Sequence, residues 1–71
     1  MKYLYIIEKA DDGSYSAYVP DLLGCTSCGD TVEELRNNIR EAVALHIETM
    51  QAHGEVIPVP TSIIADWVEV E

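Results

Sequence analysis

The sequence predicts an α+β domain of β-β-β-α-β order, with one long helix packed on a mixed sheet. Three observations carry this reading. Runs rich in aromatic and β-branched residues fill the first third of the chain, and such residues suit a pleated surface. A stretch with helical periodicity follows, from Val32 to about His53. A proline-broken connector then leads to a second alternating run.

The first strand is expected over Lys2 to Lys9, with Tyr3, Tyr5 and Ile7 on one face and Leu4 and Ile6 on the other. A strand apolar on both sides has to be covered on both sides, by its own chain or by a partner subunit. Asp11-Asp12-Gly13-Ser14 is a turn signal, since glycine takes positive φ at little cost. The second strand, Ser14 to Val19, completes an antiparallel hairpin. Pro20 cannot donate to a ladder and ends it. Leu22-Leu23-Gly24 turns the chain into a short third strand, Cys25 to Cys28.

Gly29-Asp30 breaks the extended run, and Thr31-Val32-Glu33-Glu34 reads as a capping box. In that motif the Thr31 hydroxyl accepts from the Glu34 amide while the Glu34 carboxylate reaches back to the Thr31 amide. Asp30, Glu33 and Glu34 also put negative charge at the positive end of the helix dipole. The helix is then ~33 Å long and ends at Gly54 as its C′ residue. Val32, Leu35, Ile39, Ala42, Val43, His46 and Met50 form its apolar face; Glu33, Asn37, Arg40, Glu41, Ala44, Glu48 and Gln51 form the wet one. Pro58-Val59-Pro60 forces an extended connector. Ser62 to Val70 reads as a last strand, which a right-handed crossover would return parallel to the first.

Thirteen carboxylates against four Lys and Arg give a net charge of −9 over 71 residues. After Arg40 there are six acids (Glu41, Glu48, Glu55, Asp66, Glu69 and Glu71) and no base. Such a surface repels phosphate backbones, so direct nucleic-acid binding is not expected. It attracts a basic protein, faster at low salt. A chain this short buries only about 60% of its unfolded surface, and its 48% apolar content points to self-association as the remaining source of stability. No signal peptide or membrane span is recognisable: the run Tyr3 to Ile7 is too short and ends in Glu8-Lys9. A cytoplasmic location with reduced cysteines is the expectation.

Taken together, the Tyr-rich first strand, Asp11-Asp12-Gly13, Tyr15, Pro20-Asp21-Leu22 with Gly24, Gly29-Asp30-Thr31 with Glu34, the long helix, and Ile57-Pro58 with Pro60-Thr61-Ser62 resemble the HicB-type antitoxin family. Each piece alone is common; their order and spacing are specific. One departure is Leu23, where the family usually has proline. The resemblance implies a single HicB-like domain over residues 1–71 with a partial ribonuclease H-like fold. It implies a partner, a small basic HicA-type toxin that cleaves messenger RNA, and assembly into dimers or larger homo-oligomers. Many members add a C-terminal DNA-binding module, which this sequence, stopping at Glu71, does not show; autorepression is therefore not expected of it.

Sharper chemical readings compete with this one. Cys25-Thr26-Ser27-Cys28 invites a redox or zinc role, but residues i and i+3 of a strand point to opposite faces, and Cys25 lies six residues before the helix cap. Two small buried residues are the better reading. With His46 and His53 the spacing is C-x2-C-x17-H-x6-H, outside the usual finger patterns. His46 is then a core or oligomer-interface histidine, and His53 favours the helix dipole. A metal-dependent nuclease would need converging carboxylates, for which Glu8, Glu34 and Asp66 are the candidates. Glu34 already serves the cap, and basic residues to hold RNA are scarce.

The functional expectation is therefore a non-enzymatic antitoxin, without cofactor, that covers the RNA-binding surface of a basic toxin. Its contacts would be Glu41, Glu48 and Glu55 along the helix, with Asp66, Glu69 and Glu71 in the last strand. The alternative is a stand-alone oligomeric domain, regulatory in role and without a toxin; the nuclease ranks third.

Overall fold

The computed structural model describes residues 1–71 and shows a three-stranded antiparallel sheet with one helix across it. The strands are β1 (Ile6–Lys9), β2 (Tyr15–Tyr18) and β3 (Thr26–Gly29), in that spatial order, and the helix is α1 (Val32–Ala52). Ile7 lies opposite Ala17, and Ala17 opposite Ser27. Cross-strand partners share a face, so Ile7, Ala17 and Ser27 all look toward α1.

The β1–β2 turn is built as its residues demand. The Ala10 amide donates to the Ser14 carbonyl and the Gly13 amide to the Ala10 carbonyl, with Gly13 at φ 90°. This is a three-residue hairpin loop closed by a glycine in the left-handed region. Asp12 Oδ1 accepts from both the amide and the hydroxyl of Ser14. Those bonds hold the Asp12 carboxyl below its ordinary pKa, the Ser14 hydroxyl contributing most.

Two successive turns join β2 to β3, through bonds from the Leu22 amide to the Val19 carbonyl and from the Cys25 amide to the Leu22 carbonyl. In the second, Gly24 has φ 81° and no non-glycine residue has positive φ. That combination defines a type II turn with Leu23 at its second position, where proline is favoured. Leu23 therefore occupies a site that the family's usual proline would also fit.

At the helix start the Thr31 hydroxyl accepts from the Glu34 amide at 3.0 Å. The Glu34 carboxylate returns to the Asp30 amide, one residue earlier than the capping-box expectation. At the other end the Gly54 amide donates to the Gln51 carbonyl and the Glu55 amide to the Met50 carbonyl, with Gly54 at φ 70°. This is a Schellman ending with Gly54 as C′, and His53 is the C-cap.

Gly29 has a different function from the chain-breaking one its sequence suggests. A Cβ placed there would lie 2.8 Å from the Leu35 nitrogen and 3.1 Å from its Cα. The missing side chain lets β3 press against the first turn of α1.

Between sheet and helix lies a small core of Ala17, Val19, Leu22, Cys25, Leu35 and Ile39, with Tyr3, Tyr5, Tyr15, Ala42, Val43 and Ile47 packed around it. Only 7 of 71 residues are buried, so the margin of stability rests on few side chains.

Two expectations are corrected. The strands are shorter than the apolar runs: β1 begins at Ile6 because its partner Tyr18 is the last residue of β2, and at Val19 the chain already turns, its carbonyl accepting from the Leu22 amide. More consequentially, Ser62 to Val70 pairs with nothing in its own chain. The sheet is thus purely antiparallel rather than mixed, and β-β-β-α is the order of paired elements. The physical reason is an anchor just before this run. Asp21 accepts from the amides and hydroxyls of Thr61 and Ser62, and the Tyr3 hydroxyl donates to the Pro58 carbonyl. These bonds hold residues 58–62 beside the β2–β3 turn and β1's approach, and from there the tail leaves the body.

Candidate interaction surface

The surface offers two apolar features and a distribution of acids. A groove of about 620 Å³ runs between the β2–β3 turn and the C-terminal half of α1. Leu22, Leu23 and Cys25 form one wall; Ala42, Leu45, His46 and Met50 form the other, and Pro58 closes an end. Leu23 is 96% exposed and Leu45 64%, an unusual pairing of large aliphatic side chains on the lips of one depression. His46 is half-buried in this wall, at an open groove rather than in the core.

The second feature is the tail. Ile63, Ile64, Trp67, Val68 and Val70 are all at least 74% exposed, and Trp67 reaches 96%. Aromatic and aliphatic side chains rarely stand in water as a continuous run.

The six acids proposed from sequence are all exposed and fall on three parts of the chain. Glu41 and Glu48 lie on the solvent side of α1, two turns apart. Glu55 follows the helix end and borders the groove. Asp66, Glu69 and Glu71 lie on the tail, where Asp66 Oδ1 accepts from the Trp67 amide.

Among the motif residues, Pro20, Asp21 and Gly24 build the β2–β3 connection, and Gly29, Asp30, Thr31 and Glu34 the strand-to-helix junction. The role of Asp21 as an anchor was not legible in the sequence. Its partners lie 40 and 41 residues away, and the only local signal was a Thr-Ser pair after a proline connector. The bond from the Ser62 amide is the largest cause of the lowered Asp21 pKa.

The sign of that shift fixes a pH dependence. A carboxyl held below its unfolded value of 3.8 favours the folded state at every pH above that value, and this advantage disappears as pH falls through the folded pKa. Asp21→Asn should therefore lower Tm by a constant amount from neutrality down to about pH 4–5, the two proteins converging only in stronger acid. A Tm difference that persists unchanged at the lowest pH would show that the charge of Asp21 is not what holds Thr61 and Ser62.

The chemistry-bearing residues do not converge. Cys25 is buried, with burial raising its thiol pKa, but Cys28 is exposed, which corrects the expectation of two buried residues: it pairs with Ser16 and so lies on the sheet face turned away from α1. Glu8 is on β1, Glu34 caps α1 and Asp66 is on the tail. No three His, Cys, Asp or Glu side chains stand close enough to share an ion. No helix is long and apolar enough to cross a membrane.

A small acidic α+β unit with an open apolar groove and an exposed apolar tail is the class these features define. The chain belongs to the family described as HicB-like antitoxin of bacterial toxin-antitoxin systems, which matches residues 3–71. It is 47% identical over 58 residues to a UPF0150 protein of Thermoplasma acidophilum, covering 82% of this chain and 84% of that one. It is also 46% identical to a UPF0150 protein of Synechocystis, covering 79% and 71% respectively. A 14.9 kDa protein from the rep-hol intergenic region of Haemophilus phage HP1 is 47% identical over 58 residues, but this chain spans only 43% of its length. Among solved structures, a chain of a HicA3 and HicB3 toxin-antitoxin complex superposes with TM-score 0.69 at 33% identity, covering 82% of this chain and 66% of that one.

Proposed function

We propose that this protein is an antitoxin that holds a small, basic, HicA-type RNA-cleaving toxin inactive by covering its RNA-binding surface. The observation that carries the reading is the likeness, in both sequence and fold, to a chain of a toxin-antitoxin complex, joined to a net charge of −9. A toxin that grips RNA presents a positive face, and carboxylates on a folded partner compete for it by occupancy. Glu41, Glu48 and Glu55 along the helix side, with Asp66, Glu69 and Glu71 on the tail, are the proposed contacts. The protein does no chemistry itself in this scheme. The ribonuclease H-like description of the fold belongs to the same proposal, because it needs the Ser62–Val70 run in a sheet.

Calorimetric titration of the purified chain with a purified basic toxin of the HicA type tests this. Binding should weaken as salt rises, and Glu41→Lys, Glu48→Lys and Glu55→Lys together should weaken it by at least about tenfold, or ~1.4 kcal/mol. No complex at low salt, or one indifferent to the reversals, would remove the proposal.

A further inference from the structure

We propose that the tail Ile63–Val70 is an exchanged strand: it adds to the outer edge of β1 in a second copy of this chain, whose own tail returns the exchange. The first argument is area. A folded monomer of 7.9 kDa exposes about 4,400 Å², whereas this chain exposes 5725 Å². The surplus of about 1,300 Å² per copy exceeds the roughly 800 Å² that each partner contributes to a stable interface. The radius of gyration agrees: 13.6 Å against about 11 Å for a compact chain of this length.

The second argument is the edge. β1 is a terminal strand of the sheet, and its residues enter no hydrogen bond outside the β1–β2 ladder. The opposite edge is differently placed. There α1 lies against β3, and the Asn38 side chain donates to the Cys28 carbonyl at 2.8 Å. An unpaired edge pairs with any extended segment of suitable pattern.

The tail has that pattern, with Ile64, Val68 and Val70 on one side and Ile63, Ala65 and Trp67 on the other. Its charges suit the same place: Asp66, Glu69 and Glu71 would approach an edge bracketed by Lys2 and Lys9, two of the four bases in the chain. Ser62 and Ile63 already lie beside Lys2, Tyr3 and Leu4 of their own chain. The Asp21 anchor fixes the root of the tail, and beyond it every residue from Ile63 is exposed and unpaired within its own chain. A segment held at its root and unpaired beyond it is arranged for exchange between identical copies.

The test uses the purified chain with no toxin, so its outcome is independent of the proposed function. Sedimentation velocity should give twice the chain mass. Trp67, the single tryptophan, should shift its emission to shorter wavelength as concentration rises through the association midpoint. Hydrogen exchange should gain protection at alternate amides along β1 over the same range. Val68→Lys and Trp67→Asp, both at exposed positions of the monomer, should weaken association at least tenfold while leaving the helical circular dichroism unchanged. A monomer at the highest concentrations overturns the proposal, whether Trp67 is exposed or is buried against its own β1. So does a dimer that survives both substitutions, or one whose new protection falls along α1 and the groove.

Discussion

Leu35→Ala should leave the chain largely unfolded at 25 °C. Leu35 is 0% exposed and stands one turn into α1, where the helix meets both β3 and the β2–β3 connection. Truncating a fully buried leucine costs about 2–5 kcal/mol, the spread reflecting how far the site can collapse around the void. Collapse is poor here, because the neighbours Ala17 and Cys25 are too short to fill the space. A domain of this size commands only ~3–5 kcal/mol in total, so the loss consumes most of it. Urea titration followed by far-ultraviolet circular dichroism, at one fixed protein concentration, would measure the effect. Fixed concentration matters because any association adds stability by mass action. Leu45→Ala is the control: at 64% exposure it should shift stability by no more than about 0.5 kcal/mol. If both variants cost the same, the core does not lie where the structure puts it.

What the sequence revealed and what it hid divide along a physical line. Thr31, Glu34 and Gly54 announced the helix ends because caps are local: donor, acceptor and required φ lie within a few residues of one another. The apolar stripe of α1 was legible for the same reason. From Val32 through Met50 its seven positions are buried or half-buried, and the opposite seven are exposed. The cysteines were read only in part: Cys25 is buried as expected, but Cys28 is exposed, because Cys25 sits in the turn before β3 and Cys28 on its open face. Asp21 was different: its role is fixed by Thr61 and Ser62, and no local rule connects positions that far apart. The Ser62–Val70 run shows the limit most clearly. Alternating apolar residues state that a segment suits a sheet; they do not state whose sheet. Reading it as a fourth strand of the same chain supplied a partner that the pattern never specified. The acids followed the same rule, since their exposure could be read from the sequence and their distribution over helix and tail in space could not.

Gly29→Ala is the sharpest test of the junction between strand and helix. No positive φ protects this glycine's identity; the constraint is steric. The new methyl would sit 2.8 Å from the Leu35 nitrogen, 3.1 Å from its Cα and 3.3 Å from the Glu34 carbonyl carbon. All three are backbone atoms of the first helical turn, and unlike the tip of a flexible side chain they cannot swing aside. Relief requires moving α1 off β3, which would stretch the Asn38 contact with the Cys28 carbonyl and open the core around Leu35. Overpacking of this kind costs about 1–3 kcal/mol, occasionally more. Gly24→Ala provides the comparison, since a Cβ there meets nothing within 4 Å and only its φ of 81° opposes the change. Left-handed strain for alanine is about 1–2 kcal/mol. Equilibrium unfolding would therefore rank Gly29→Ala as the more damaging, with a loss of near-ultraviolet signal from Tyr15, whose cross-strand partner is Gly29. The reverse ranking would mean that turn geometry limits the stability of this fold more than the fit of helix on sheet does.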